Sequence, residues 1–195
     1  GPVFDACEDQ LFYADDKQDL DADNITCENN NVVLTNMATD NGDCASDWLK
    51  WTVHVDLYDD GNVEYTFSSS VNPSIPLHVS RTSSGEEVQV LLPEGVLGSM
   101  ANHRVVWRVT DGCGNYSTCT SYFMVVDNIP PTPYCVNLST ALMENGQVEL
   151  WACDFDLGSF DNCSDNSNLR FTFSDVPPQS DPNYNPQTQC SSKIF

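Results

Sequence analysis

Between Asp111 and Cys135 the chain reads DGCGNYSTCTSYFMVVDNIPPTPYC, and no other stretch narrows the possible folds as far. A Gly-rich turn sits between two apolar runs, Val105 to Val109 and Tyr122 to Val126, which predicts the closing hairpin of an all-β unit. Pro130, Pro131 and Pro133 follow. Proline has a fixed φ and no N–H to donate, so no central strand passes through them. One domain is therefore expected over 1–128 and a second over 129–195.

Nine cysteines at irregular spacings, with no CxxC pair and no Cys/His quartet, read as a disulfide framework and not as zinc ligands. Disulfides place the folded chain outside the cytoplasm. The odd count leaves at least one thiol free or bonded outside this sequence. Neither a signal peptide nor an apolar run of 18 residues is visible, so an excised or mature portion of an exported protein that does not span a membrane is expected. Gly1-Pro2 fits a protease-tag scar.

The 195 residues are 40% apolar, enough for ordinary cores and against disorder. Against 29 acids stand seven basic residues, a formal charge of −22. Without phosphate-neutralising Lys and Arg the chain is no partner for nucleic acid or anionic membrane. The acids divide into 21 Asp and 8 Glu, a bias toward the carboxylate that sits in turns and chelates hard cations. A halophile-like solvating surface explains the total equally well, but not the clustering of Asp15, Asp16, Asp19, Asp21 and Asp23.

Strands are predicted at Leu11 to Tyr13, Asn31 to Asn36, Trp48 to Leu57, Glu87 to Leu92 and His103 to Thr110, and in the second module at Val136 to Leu142, Gln147 to Ala152 and Leu169 to Ser174. Trp51, Val53, Val55 and Leu57 alternate with Thr52, His54 and Asp56, the period of two of a half-buried strand. Helical periodicity is absent. DLYDDGNVEY, from Asp56 to Tyr65, has the look of a calcium loop but carries Tyr58 at the third ligand position and no acid at the twelfth; a hairpin turn at Asp60-Gly61 is the simpler reading. No zincin, nucleophile-elbow or phosphate-loop motif occurs, and His54, His78 and His103 are isolated, so no catalytic residue is assigned. Trp51 and Trp107 are in phase with apolar neighbours and belong to the core, while Trp48 and Trp151 are candidates for a sugar platform.

The pattern ATDNGDC, WLKWTVHVDLYDDGNVEYT, NHRVVWRVTDGCGNYSTC, PTPYC and WACDFDLGSFDNCS resembles the repeated modules of giant Bacteroidetes surface proteins. These include gliding-motility adhesins exported by type IX secretion, and they are similar to hyalin repeats. The resemblance implies all-β, tandem Ig-like β-sandwich modules, the second incomplete, and a non-catalytic structural or adhesive role in an extracellular, cell-surface fibre. Partners would be neighbouring modules, copies of the chain, or a surface glycan or protein. The alternative is a secreted carbohydrate-binding or enzyme-appended module. Cys153 departs from the family pattern, which has a small non-cysteine residue there.

An Ig topology brings the start of the first strand and two further loops to one pole. Cys44–Cys113 and Cys7–Cys119 are the disulfides expected there, with Cys163–Cys190 expected in the second module and the partners of Cys27, Cys135 and Cys153 left open. The same topology aims Asp127, Asp154, Asp156 and Asp161 at the junction of the modules, together with the Asp15 to Asp23 loop. Structural Ca²⁺ is expected to neutralise them. Ordinary turns whose Asp side chains accept local backbone N–H groups are the alternative.

Overall fold

The computed structural model describes residues 1–14, 27–29, 31–42, 48–69, 77–98, 101–164 and 166–195. They fall into two compact units that part between Asn128 and Ile129. In chain order the strands of the first unit are β1 (Val3–Phe4), β2 (Gln10–Tyr13), β3 (Glu28–Asn29), β4 (Val33–Thr39), β5 (Lys50–Asp56), β6 (Tyr65–Ser68), β7 (Leu77–Thr82), β8 (Gly85–Leu91), β9 (Val96–Leu97), β10 (His103–Thr110) and β11 (Tyr116–Val126).

One sheet runs β1-β4-β8-β7 and the other β2-β11-β10-β5-β6, while β3 and β9 pair separately. This is the strand order of an immunoglobulin-like sandwich: ABED on one side, GFC extended by one strand on the other, with the first strand divided between the two sheets. The predicted hairpin is β10–β11, antiparallel from His103↔Phe123 to Thr110↔Tyr116 around DGCGN. By contrast β2 runs parallel to β11, from Gln10↔Phe123 to Tyr13↔Val126. The two sheets are also tied by one polar side chain, since Gln10 Nε2 donates to the Thr35 carbonyl at 2.9 Å and Gln10 Oε1 accepts the Thr35 N–H at 3.1 Å.

Period-two alternation places Trp51, Val53, Val55, Val105, Trp107, Val109, Phe123 and Val125 inward, none more than 1% exposed, opposite Leu34, Ala38, Val88 and Val90. Each such aromatic removes about 150–250 Å² from water, which at about 25 cal/mol per Å² contributes about 4–6 kcal/mol. Trp107 lies at the centre, paired with Cys119 on one side and Val53 on the other, and its Nε1 donates to Ser121 Oγ at 3.0 Å.

The alternation breaks at Asp56. Its sequence phase points outward, yet it is only 2% exposed. Its two oxygens accept the N–H groups of Asp60 and Gly61 at 3.0 and 3.1 Å, and Arg104 pairs with it as well. A carboxylate with that many donors tolerates burial. Asp56 thereby braces a turn in which Tyr58 and Asp59 take φ of 69° and 49°, in the left-handed region. DLYDDGNVEY is this braced β5–β6 connection, as the hairpin reading expected, with Asp56 committed to its own turn.

The second unit is all-β and far smaller in regular structure. Its strands β12 (Glu149–Trp151), β13 (Tyr184–Asn185) and β14 (Cys190–Ile194) form one sheet with β14 in the middle, antiparallel to both neighbours. Single bridges add Thr132↔Phe160, Cys135↔Asp156 and Phe171↔Cys190. Edge-to-face contacts join Phe173 to Phe155 and Phe195 at 5.8 and 5.9 Å. A complete sandwich needs two sheets, and the described residues supply one of three strands. Two expected strands are absent: Val136 to Leu142 forms no ladder and is mostly exposed, and of Leu169 to Ser174 only Phe171 makes a bridge. An apolar run becomes a strand only where a partner lies alongside. Among the described residues no helix is long and apolar enough to cross a membrane.

Candidate binding site

Cys7 follows the crossing from one sheet to the other, between β1 and β2, and is disulfide-bonded to Cys119 of β11 across 112 residues. In the second unit Cys190 is bonded to Cys153, which replaces the expected Cys163–Cys190 pairing. Strand pairing and a tight turn explain the correction. Trp151 faces Ser192 across β12 and β14, and the single 3-10 turn Ala152–Phe155 that follows β12 brings the Cα of Cys153 to 5.7 Å from that of Cys190, the first residue of β14. Cys153, whose partner the sequence left open, is thus the residue that staples this sheet. Cys27, Cys113 and Cys163 are also disulfide-bonded, and Cys135 is an exposed free thiol. Cys44, expected as the partner of Cys113, lies outside the described residues.

The aspartates singled out for calcium sit in two places. Asp127 follows β11 in the first unit; Asp154, Asp156 and Asp161 belong to the second. Asp15, Asp16, Asp19, Asp21 and Asp23 lie outside the described residues. Asp161, 4% exposed, accepts the N–H groups of Cys163 and Ser164 at 2.9 and 2.6 Å on a single oxygen. Asp156 accepts the Ser159 N–H at 2.7 Å, and Ser159 beside it holds its carboxyl below the ordinary range. Asp154 accepts the Trp151 N–H at 3.2 Å. Among the described residues no three His, Cys, Asp or Glu side chains converge as a metal-holding group.

Asp111 repeats the Asp161 arrangement in the first unit, its Oδ1 accepting from Cys113 N–H at 2.9 Å and Asn115 N–H at 2.8 Å. The Asn115 side chain, foremost, holds this carboxyl low as well. In both DGCGN and DNCS an acceptor two residues before a bonded cysteine fixes the backbone that carries the sulfur. That local job accounts for Asp at these positions.

His103 is fully buried. Its Nδ1 accepts the Tyr58 N–H at 2.9 Å, so the proton sits on Nε2, and the ring packs against Tyr58 and Phe123 at 4.9 and 4.7 Å. Burial pushes its pKa below the ordinary value, outweighing the upward pull of Glu64. The unfolded chain therefore binds a proton that the folded chain refuses. Stability is complete above about pH 6.5 and falls as pH drops through the window beneath it. Urea midpoints at pH 7.5 and pH 5 should differ more for the wild-type chain than for His103→Gln, and equal differences would contradict this assignment. His54 is a sheet-face residue paired with Thr66 Oγ1 at 3.0 Å, and His78 is exposed.

Of the two candidate platform residues, Trp151 is half-buried in β12 and Trp48 is 53% exposed, just ahead of β5. The Arg81 guanidinium lies over the Trp48 ring, 4.4 Å from its centre. Arg81 is held in turn by Glu86, 5% exposed, whose Oε1 accepts from Arg81 Nη2 at 2.6 Å and whose Oε2 accepts the Leu49 N–H at 3.0 Å. Beside them runs a groove of about 260 Å³ between the end of β4 and the β7–β8 turn, bordered by Thr39, Asp40, Arg81, Thr82 and Ser84. The Asp40 side chain is 3% exposed. One of its oxygens accepts the Gly42 N–H at 3.0 Å; the other, Oδ2, has no hydrogen-bond partner. Sequence reasoning found Trp48 and missed Asp40, which looks like one more turn residue in ATDNGD.

The chain matches no protein-family model and no curated protein. Among solved structures it is similar to the tandem Ig repeats of Dlar, at 10% identity over 98% of this chain and 80% of that one, with a TM-score of 0.35. Murine CRIg shows 10% identity over 66% of this chain and 99% of that one, TM-score 0.35. Dpr1 IG1, solved bound to DIP-eta IG1, shows 9% identity over 65% and 96%, TM-score 0.31. Likeness at this level carries no argument by itself. Strand order and register make the assignment: this is an all-β chain whose first unit is an immunoglobulin-like sandwich.

Proposed function

We propose that the chain is a structural and adhesive segment of an extracellular, cell-surface protein or fibre, of the kind formed by the gliding-associated modules of Bacteroidetes and by hyalin repeats. The observation that carries this reading is the Cys7–Cys119 staple on an immunoglobulin-like sandwich, since such bonds persist in oxidising surroundings. The second unit suits assembly. Leu142, Leu157 and Ile194 are 66%, 68% and 62% exposed, and its sheet has short open edges that a neighbouring module or another copy can complete.

Calcium belongs to the same proposal, with Asp127, Asp154, Asp156 and Asp161 as its candidate ligands. A formal charge of −22 supports it, because carboxylates brought together repel unless a cation intervenes. The local hydrogen bonds of Asp154, Asp156 and Asp161 favour the simpler account of those three residues. Beads coated with the disulfide-intact chain should adhere to each other or to glycan- or protein-coated surfaces, and lose that adhesion on reduction. Beads that stick to nothing overturn the adhesive reading. Calorimetry without calcium binding, together with a scattering profile unchanged by chelator, removes the calcium part alone.

A further inference from the structure

We infer that the groove between the end of β4 and the β7–β8 turn is a saccharide subsite for a single neutral sugar ring, with Asp40 accepting its hydroxyls and Trp48 offering a stacking face. The inference rests on the adhesive reading and supplies its ligand class.

Asp40 points to a ligand because it is incomplete. Buried polar atoms in native proteins are nearly always hydrogen-bonded. Here a carboxylate whose side chain is 3% exposed keeps one oxygen without a donor, on the wall of a groove. The terminal amine of Gly1 comes no nearer than 3.9 Å, and to the other oxygen. A ligand hydroxyl supplies the missing donor. Thr39, Thr82 and Ser84 border the same space, so several hydroxyls of one ring find polar neighbours.

Charge excludes the competing ligands. Asp40 and the buried Glu86 oppose an anion, as does the whole chain at −22. Arg81 already takes the cation's seat over Trp48, so it opposes an ammonium group. A metal would need more ligands, and among the described residues no group of three converges. An apolar ligand finds few partners on this wall. A neutral ring with hydroxyls at its edge fits Asp40 and the hydroxyls around it, and Arg81, which borders the groove and lies over Trp48, sets that half-open ring beside the groove as a face for the sugar's C–H groups. The volume of about 260 Å³ lies just under the roughly 300–1,000 Å³ of sites for drug-sized ligands, which suits one ring and not a buried chain.

The test is isothermal titration of the disulfide-intact chain with neutral mono- and disaccharides, with glucuronate and glucosamine as charged controls. Saturable binding of at least one neutral sugar is expected, weakened roughly ten- to hundredfold by Asp40→Asn, the range for losing a bond to a charged acceptor. Trp48→Ala should weaken it at least severalfold. Asparagine still accepts the Gly42 N–H, so the Asp40→Asn thermal midpoint should hold. Trp48→Ala, on an exposed residue, gives a second route if Asp40→Asn does not fold. Binding retained by both variants, preference for a charged sugar, or no binding of any neutral sugar overturns the subsite. Wild-type and Asp40→Asn beads that adhere equally well to glycan surfaces remove the subsite and leave the adhesive reading standing, whereas wild-type beads that never adhere remove both.

Discussion

Replacing Cys7 by Ser and Cys119 by Ala together is expected to lower the unfolding free energy of the first unit by about 4–5 kcal/mol, the loop-entropy value for a closure of this length. The bond joins cysteines 112 positions apart, and it does so where the first strand changes sheets. Native domains are stable by about 5–15 kcal/mol, so this one bond is a large share of the total. Its loss also frees β2, whose parallel ladder with β11 is only four residue pairs long. Cys119 is 6% exposed, and alanine there avoids adding a buried hydroxyl. Urea titration of the variant beside the oxidised wild type measures the difference. A shift below about 1 kcal/mol would mean that the denatured chain is not expanded enough for the closure to matter.

Trp107→Ala should be comparably severe, at about 4 kcal/mol or more. Deleting a large buried aromatic costs about 3–5 kcal/mol through lost transfer energy and the cavity left behind. Trp107 is 0% exposed at the middle of the five-stranded sheet, where neighbouring strands on both sides resist collapse into the space. The change also strands the Ser121 hydroxyl, 1% exposed, whose partner is the indole N–H. Trp107→Phe separates the two effects, since it keeps most of the ring and loses the hydrogen bond; a penalty of about 1–3 kcal/mol is expected for it. A Trp107→Ala loss under about 1.5 kcal/mol would show that this core relaxes around the hole.

What could be read from the residues was what depends on neighbours in the chain. DGCGN between two apolar runs located β10 and β11, and the phase of Trp51 and Trp107 put both in the core. What escaped depends on distant residues meeting. Asp56 turns inward because Arg104, 48 residues away, pairs with it, and His103 is buried against a loop 45 residues earlier. Cys153 could be matched with Cys190 only through the pairing of β12 with β14 and the turn after β12, which short and atypical strands do not advertise. Val136 to Leu142 has the composition of a strand, but no ladder forms beside it in the structure. The Asp40 groove was the least legible of all. Its mark is an oxygen without a donor, and a missing bond leaves no trace in a string of residues.

The staple between Cys7 and Cys119 also decides how the first unit behaves under tension. A pull that enters before Cys7 and leaves after β11 passes through the disulfide, so the chain between the two cysteines, which stand 112 positions apart, carries no load and cannot extend. When the bond is reduced, the pull reaches β2 and β11. Because these strands are parallel, drawing the start of one against the end of the other loads their four residue pairs in shear, together and not one after another. The oxidised sandwich is therefore inextensible over most of its length, and the reduced one still resists with its strongest geometry before it gives way.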